Sequence, residues 1–428
     1  MLTEVKTSIE GLEIGMFVSR LDRPWLKTPF TLQGVQIKTC DDIEKLRKYC
    51  NYVYVDVEKG STPDPRFWVL KEDTGNHHQP ATVRRHAKSP VNGRSRDEFS
   101  KLRKQHYTTT TQFTSELETA KDIVQEINND LKQMLSELER GGELDIAAVR
   151  KGISDMTSSI IRNPSAMMWI ISLRSMDDYS YSRALSTSVW CATFGRHLGL
   201  EKSSIEILAL GGLLLDIGKT GLPQELLHKK APLTPEEYRH IQTHVDLGVK
   251  ILANTRPGSA DGGIAMEALQ MVATHHERAD GSGYPQSLAN SEIPLFGRIA
   301  GIVDSYDAMN SRRPHLDADA KPPHEAIAEL YALRGGKFQA ELIEQFIQAV
   351  GLYPTGSLVE LSTGEVGAVV AINGLRRLRP SVILLLDKDK EPLPQFVMMD
   401  LSQAGEDITV SRGLPVGAYG VDMNELFL

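Results

Sequence analysis

His275 and His276 stand side by side in the stretch MVATHHERADGSGYP, Met271 to Pro285, followed by Glu277, Arg278 and Asp280 and then by a glycine-broken loop ending in Tyr284 and Pro285. A neutral imidazole is a directional ligand for a divalent transition metal, and such a metal polarises phosphoryl oxygens and activates water. Histidines at the end of an apolar helix, beside a loop that can approach a ligand closely, suit metal-assisted phosphoryl chemistry. Adjacent histidines do not make a site by themselves, so the remaining ligands have to come from elsewhere in the chain.

Three further segments offer them. SSIEILALGGLLLDIGKTGLP carries Asp216 among leucines, with Lys219 three residues on. A carboxylate in so apolar a setting needs a partner, and an N-cap or an ion pair with Lys219 would supply one. His244 lies in HIQTHVDLG one helical turn after His240, and Asp304 lies in GRIAGIVDSYDAM. Any one of these is more often an ordinary core or surface residue than a ligand. Together they resemble a helical bundle that builds a metal site from inward-pointing side chains on several helices.

The elements that position these residues occupy the middle of the chain. Up to about residue 60, alternating segments such as MFVSRL and NYVYVDVE flank a helical piece around Asp42 to Tyr49, which predicts a small α+β domain over 1–60. Residues 61–111 lose apolar periodicity and read as a linker, with the basic run TVRRHAKSPVNGRSR as a solvated tether. From Phe113 to Leu138 apolar residues recur in alternating steps of four and three, predicting a long amphipathic helix over 112–142 that ends at Gly141 and Gly142. That stripe is either a parallel dimer seam or packed within its own chain. Residues 143–353 read as nearly all helix, with one helix starting after Asn163-Pro164 and another expected over Ser186 to Leu198. Residues 354–428, with SLVELS, EVGAVVAI, SVILLLDK and QFVMMDLS, predict a β-rich region.

Composition narrows the function classes. At 428 residues, 41% hydrophobic and 24% charged, the chain has material for two or three soluble domains. No apolar run reaches the roughly twenty residues of a bilayer span, and the opening MLTEVKTSIEG lacks a secretory pattern, so the expectation is a cytoplasmic protein. Cys40, Cys50 and Cys191 are scattered and odd in number, which predicts buried reduced thiols rather than disulfides or a thiolate metal site. A net charge of -8 speaks against a broad nucleic-acid surface and leaves room for a local phosphate pocket.

The run DIGK with a later LP, then HVDLG, HHERADGSGYP, RIAGIVDSYDAM and RRP, closely resembles the HD-GYP family of bacterial cyclic di-GMP phosphodiesterases, over roughly Tyr179 to Val350. GMFVSRLDRPWLKTPF is similar to the uncharacterised N-terminal domain that often precedes HD-GYP domains. The resemblance implies a mainly α protein, an HD-type helical bundle core with a small α+β N-terminal domain and a β-rich C-terminal appendage. It also implies a cage of carboxylates and histidines around two or more iron or manganese ions that activate water against a phosphodiester. Asp216, His244, His275, His276 and Asp304 match the family's metal ligands. Asp216 and Lys219 match its catalytic positions, and Lys219, Arg313, Asp280, Gly283, Tyr284 and Pro285 its ligand-binding ones. The GYP loop is associated in the family with substrate recognition and with contacts to diguanylate cyclase (GGDEF) proteins.

Two ligands of the pattern are replaced. Leu215 stands where the histidine of the HD pair belongs, and Arg183 where an earlier histidine follows the YxY that opens the domain; a basic residue beyond Arg313 is Leu316. Leucine cannot ligate, and a guanidinium stays protonated and repels a cation. The resemblance assigns both lost histidines to one metal, whereas the second metal's set of Asp216, His244, His275 and His276 is intact. One Zn, Mn or Fe ion is therefore expected, with the second site lost. Arg183 is expected to pair with Asp304, and with Asp216 as well, so that its charge replaces part of the missing ion's field. Three readings compete. One is a protein that binds a cyclic dinucleotide or a protein partner with little or no turnover; another is a residual one-metal phosphodiesterase; the third is a purely structural interaction module.

Overall fold

The computed structural model describes residues 4–22, 30, 34–57, 59–67, 105–173, 179–255, 264–311, 320–373 and 376–423. Two compact units emerge, Met1–Arg94 with Gly374–Arg377, and Ser95–Asn373 with Leu378–Leu428.

In the first unit, strands β1 (Glu4–Ser8), β2 (Phe17–Leu21), β3 (Val35–Gln36) and β4 (Tyr52–Asp56) form an antiparallel sheet in the order β1-β4-β2-β3. Helix α1 (Cys40–Tyr49) starts at a capping box in which Thr39 and Asp42 satisfy each other's backbone N–H groups. Met16, Val18, Ile37, Leu46, Val53 and Val55 form the core. The chain stays on this sheet beyond residue 60: the Ser61 N–H donates to Gly15 O at 2.9 Å. Most of the expected linker at 61–111 lies outside the described residues.

The second unit opens with α2 (Phe113–Glu139), which packs on α3 (Ala147–Arg162) and α4 (Pro164–Ser172). Its stripe of Ala120, Val124, Ile127, Leu131 and Met134 is buried there, within its own chain, so it offers no free dimer seam. Arg162 on α3 clamps the buried Glu116 carboxylate with both guanidinium arms, Nε at 2.9 Å and Nη2 at 2.5 Å. Asn163 caps α4 ahead of Pro164, its side chain accepting from the Ser165 N–H at 3.0 Å.

The helices that carry the candidate residues follow: α5 (Tyr179–His197), α6 (Lys202–Leu213), the short α7 (Gln224–Leu227), α8 (Pro235–Gln242), α9 (His244–Ala253), α10 (Met266–Thr274) and α11 (Leu295–Asn310). Helix α5 begins earlier than Ser186, which places Arg183 on a helix. Helices α12 (Pro323–Ala332) and α13 (Ala340–Val350) complete the helical body. Strands β5 (Leu358–Leu361), β6 (Val366–Ala371), β7 (Ser381–Leu386), β8 (Pro392–Asp400) and β9 (Val410–Gly413) then form an antiparallel sheet in the order β8-β7-β6-β5-β9. The fold is thus mainly α with a small α+β N-terminal part and a β-rich C-terminal appendage.

One detail departs from expectation. Cys50 and Cys191 are buried free thiols, but Cys40, on the first turn of α1, is exposed. Among the described residues, no helix is long and apolar enough to cross a membrane.

Candidate functional site

Helix α6 ends at Leu213, and the chain turns through Leu215 and Asp216 into a short 3-10 segment, Ile217–Gly221. Leu215 faces the core and is buried. Asp216 lies at the turn with its carboxylate partly open to solvent. The 3-10 segment packs directly on α9 because Gly218 has no side chain: a β-carbon there would sit 1.9 Å from His244 O and 2.4 Å from Gly248 N. That backbone contact brings His244, on the first turn of α9, beside Asp216. Helix α10 ends at Thr274, so His275 and His276 project from its C-terminal edge into the same space.

Asp216, His244, His275 and His276 each offer one ligand atom, all within 4.8 Å of one another. His244 and His275 use Nδ1 to donate to carbonyls three residues back in the chain, Ile241 O at 2.7 Å and Val272 O at 2.9 Å. A carbonyl only accepts, so Nδ1 carries the proton and each Nε2 presents a lone pair. Those Nε2 atoms lie 3.4 Å and 4.0 Å from Asp216 Oδ1. All three atoms are buried without a hydrogen-bond partner.

Two imidazole lone pairs and a carboxylate oxygen facing one point, with no donor among them, repel one another unless a cation sits between them. The residues present therefore fit a divalent ion. With metal–nitrogen bonds of about 2.1 Å, ligand atoms that share one ion lie roughly 3–4 Å apart, so the four would draw together around a bound ion. The Ile241 and Val272 carbonyls already fix the tautomers that ligation requires.

Burial pulls the pKa of His275 down to about 4 and holds those of His244 and His276 below the ordinary histidine range, so all three are neutral at pH 7. Burial alone would raise Asp216; the Lys219 and Arg183 cations outweigh it and hold the carboxylate well below its usual range. Lys219 Nζ bonds Asp216 Oδ2 at 2.6 Å, leaving Oδ1 to the histidines. Asp216 is thus paired with Lys219 and not with Arg183, whose field nonetheless reaches it.

Asp304 does not join the four. Its carboxylate is engaged by Arg183 across the α5–α11 interface, where both side chains are largely buried. Arg183 Nε also lies 3.7 Å from Asp307 Oδ2, one turn beyond Asp304. Ser186 and Thr187, one turn along α5, donate to the same Asp307 carboxylate. Burial, only partly offset by Arg183, pushes Asp307 up to about 6. Where the sequence resemblance places a second metal, a guanidinium is bonded to buried carboxylates.

The loop beyond His276 is shaped by contacts within itself and with the HHE backbone. Glu277, buried, accepts from the N–H groups of Gln286 at 2.7 Å and Leu288 at 2.9 Å, clamping the returning chain. Arg278 donates to His275 O and Glu277 O at 2.9 Å and 2.8 Å. Asp280 is exposed and accepts from the N–H and hydroxyl of Ser282, so it forms the turn. Gly283 lies against the HHE backbone, where a β-carbon would be 2.4 Å from Glu277 Cα. Tyr284 consequently stacks on His276, ring centroids 4.5 Å apart and planes 25° from parallel. Pro285 and His240 are exposed. Arg313 and Leu316 lie outside the described residues.

The chain matches the HD domain family over residues 166–342, the Domain of unknown function DUF3391 over 4–149 and the KOW domain associated with HD domain over 358–406. It is 29% identical to the cyclic di-GMP phosphodiesterase PA4108 of Pseudomonas aeruginosa, over 96% of this chain and 92% of that protein. It is 37% identical to a cyclic di-GMP phosphodiesterase of Thermotoga maritima over 35% of this chain and 39% of that one. It is 32% identical to the 3'3'-cGAMP-specific phosphodiesterase 2 of Vibrio cholerae over 38% of this chain and 30% of that one. The HD-domain match covers the helices that carry the histidine cluster, the other two matches cover the sheets that precede and follow them in sequence, and the chain carries an HD domain with a DUF3391 domain ahead of it.

Proposed function

We propose that Asp216, His244, His275 and His276 hold one divalent transition metal, iron, manganese or zinc, and that the site binds a cyclic dinucleotide, cyclic di-GMP or a close relative, with little or no hydrolysis. The observation that carries this reading is the convergence of three partnerless buried ligand atoms on one point, next to a region where Arg183 is bonded to Asp304. A bound ion supplies Lewis-acid polarisation of a phosphoryl oxygen and a lowered pKa for water.

This chain's own residues then have distinct tasks. Lys219 offers its ammonium, already held at Asp216, to a non-bridging phosphate oxygen. Asp216, held well below its usual range, is too weak a base to take a proton from water and serves as a ligand. Arg183 contributes a fixed positive charge and stays protonated, so it stabilises charge without acting as a base that activates a nucleophile. The domain division at residues 60, 111, 142 and 353, a cytoplasmic location, contact of the Tyr284 loop with a GGDEF protein and association as a homodimer belong to the same proposal.

Metal analysis of protein purified without chelator tests the first half: a stoichiometry near one is expected, and near two would overturn the single-ion site. Calorimetry with cyclic di-GMP tests the second half, with micromolar binding and no linear dinucleotide product expected. A second reading, slow one-metal hydrolysis, is favoured by the names of the relatives, all phosphodiesterases. Product formation that disappears in His275→Ala would establish it in place of the first.

A further inference from the structure

We propose that Tyr238 is a base-stacking residue of this site, taking the planar heterocycle of a nucleotide whose phosphate lies at the histidine cluster. The inference rests on the phosphate-ligand reading above and adds to it the means by which a nucleoside is recognised.

Helix α8 carries Tyr238, and none of its residues is buried, so core packing does not dictate where the helix sits. Its N-terminus is pinned instead. Thr234 caps it ahead of Pro235, the Glu237 carboxylate accepts from the Thr234 N–H at 2.8 Å, and Lys229 bonds that carboxylate at 2.6 Å. The effect is to hold Tyr238 against the GYP loop while leaving its ring 50% exposed.

The rings then form a row. His276 stacks face to face with Tyr284, and Tyr284 meets Tyr238 edge to face, centroids 6.5 Å apart and planes 79° to each other. Burial and the neighbouring Tyr238 raise the Tyr284 phenol, which stays neutral. Tyr284 therefore lies between the other two rings, and Tyr238 is the most exposed member of the row, His276 and Tyr284 being half-buried. A half-exposed tyrosine on a surface helix is ordinary by itself. One that continues an aromatic row from a candidate metal ligand out to solvent is placed for a ligand.

The chemistry of a nucleotide supplies the match. Its phosphate and its base lie on opposite sides of the sugar, so a grip by the cluster and Lys219 cannot tell a nucleotide from any other phosphodiester. A π-face one sugar away from the phosphate makes that distinction, because every base can stack on it. Loss of one such contact corresponds to a fall in affinity of about 5- to 150-fold.

The test uses the manganese-loaded full chain as wild type, Tyr238→Ala and Tyr238→Phe, titrated with cyclic di-GMP, GMP and inorganic phosphate. The expected result is weaker binding of both nucleotides to Tyr238→Ala by about 5- to 150-fold, with phosphate affinity and metal content unchanged and Tyr238→Phe like wild type. Equal nucleotide affinity in Tyr238→Ala overturns the proposal. So does a matching loss of phosphate binding, which would mean a disturbed helix, or a Tyr238→Phe as weak as Tyr238→Ala, which would mean a hydroxyl contact. If wild type binds GMP through Tyr238 but not cyclic di-GMP, the cyclic dinucleotide reading falls and the stacking role stands. If it binds neither nucleotide, both fall.

Discussion

Arg183 on α5 and Asp304 on α11 form a largely buried ion pair, and Asp307, one turn further along α11, faces the same guanidinium at 3.7 Å. Removing the cation from such a group leaves carboxylates in a low-dielectric setting without compensation, which costs more than the intact pair contributes. Arg183→Met should therefore lower the unfolding free energy by roughly 3–5 kcal/mol at pH 7.5 in urea titrations. Asp307 is already raised to about 6 with the arginine present, so its folded state prefers the protonated form. Its penalty is absent below the unfolded value near 4 and complete above the folded one. The deficit of Arg183→Met should shrink as pH falls below 6, and a deficit that grows on acidification would contradict this account.

The histidine cluster titrates in the opposite sense. His275 is held at about 4, and His244 and His276 below the ordinary value, so the folded chain binds fewer protons than the unfolded one on the acid side of neutrality. Stability from this source is present above about pH 6.5 and is lost as pH falls through the folded values. Asp307 works against the trend, but it is one group against three. Metal-free protein should show a urea midpoint that drops between pH 7 and pH 5, and a midpoint that is flat or rising would count against neutral buried imidazoles.

Glu277 holds the loop through two backbone N–H groups. Glu277→Ala leaves the Gln286 and Leu288 amides without that acceptor, at about 1–3 kcal/mol of local stability. Hydrogen exchange should accelerate at these amides while metal content stays at the wild-type level. Loss of metal instead would place Glu277 in the cage.

The α2 stripe gives a test of association. Leu131 is 1% exposed inside its own chain. Leu131→Ala should destabilise the chain by roughly 2–5 kcal/mol, independently of protein concentration, and should leave the mass measured by light scattering unchanged. A variant that dissociates on dilution where wild type does not would make the stripe a seam.

What was legible beforehand follows the physics of each signal. The HHE and GYP residues declare themselves because their chemistry is rare at that spacing, and the pairing of Arg183 with Asp304 follows from the need to neutralise a buried guanidinium. Asp307 offered only a weak signal, its three-residue spacing from Asp304 on one helix face. Glu277 stands beside the two histidines in sequence, whereas folding turns it toward backbone amides. Periodicity marked the α2 stripe but carries no information on what covers it. DDYSYSRALS has no apolar period, which hid the true start of α5. Tyr238 sits on a polar surface helix, where no local pattern sets it apart.

The bond between Lys219 and Asp216 has one more consequence. The ammonium neutralises the only anionic side chain among the four candidate ligands, and the three imidazoles are uncharged at pH 7. A divalent cation entering this cage thus carries almost its whole charge uncompensated, and a phosphate diester is the counterion that the protein itself withholds. Metal and nucleotide should consequently enhance each other's binding by the same factor, as linkage requires, so that the proposed site is most strongly metallated when its nucleotide is bound.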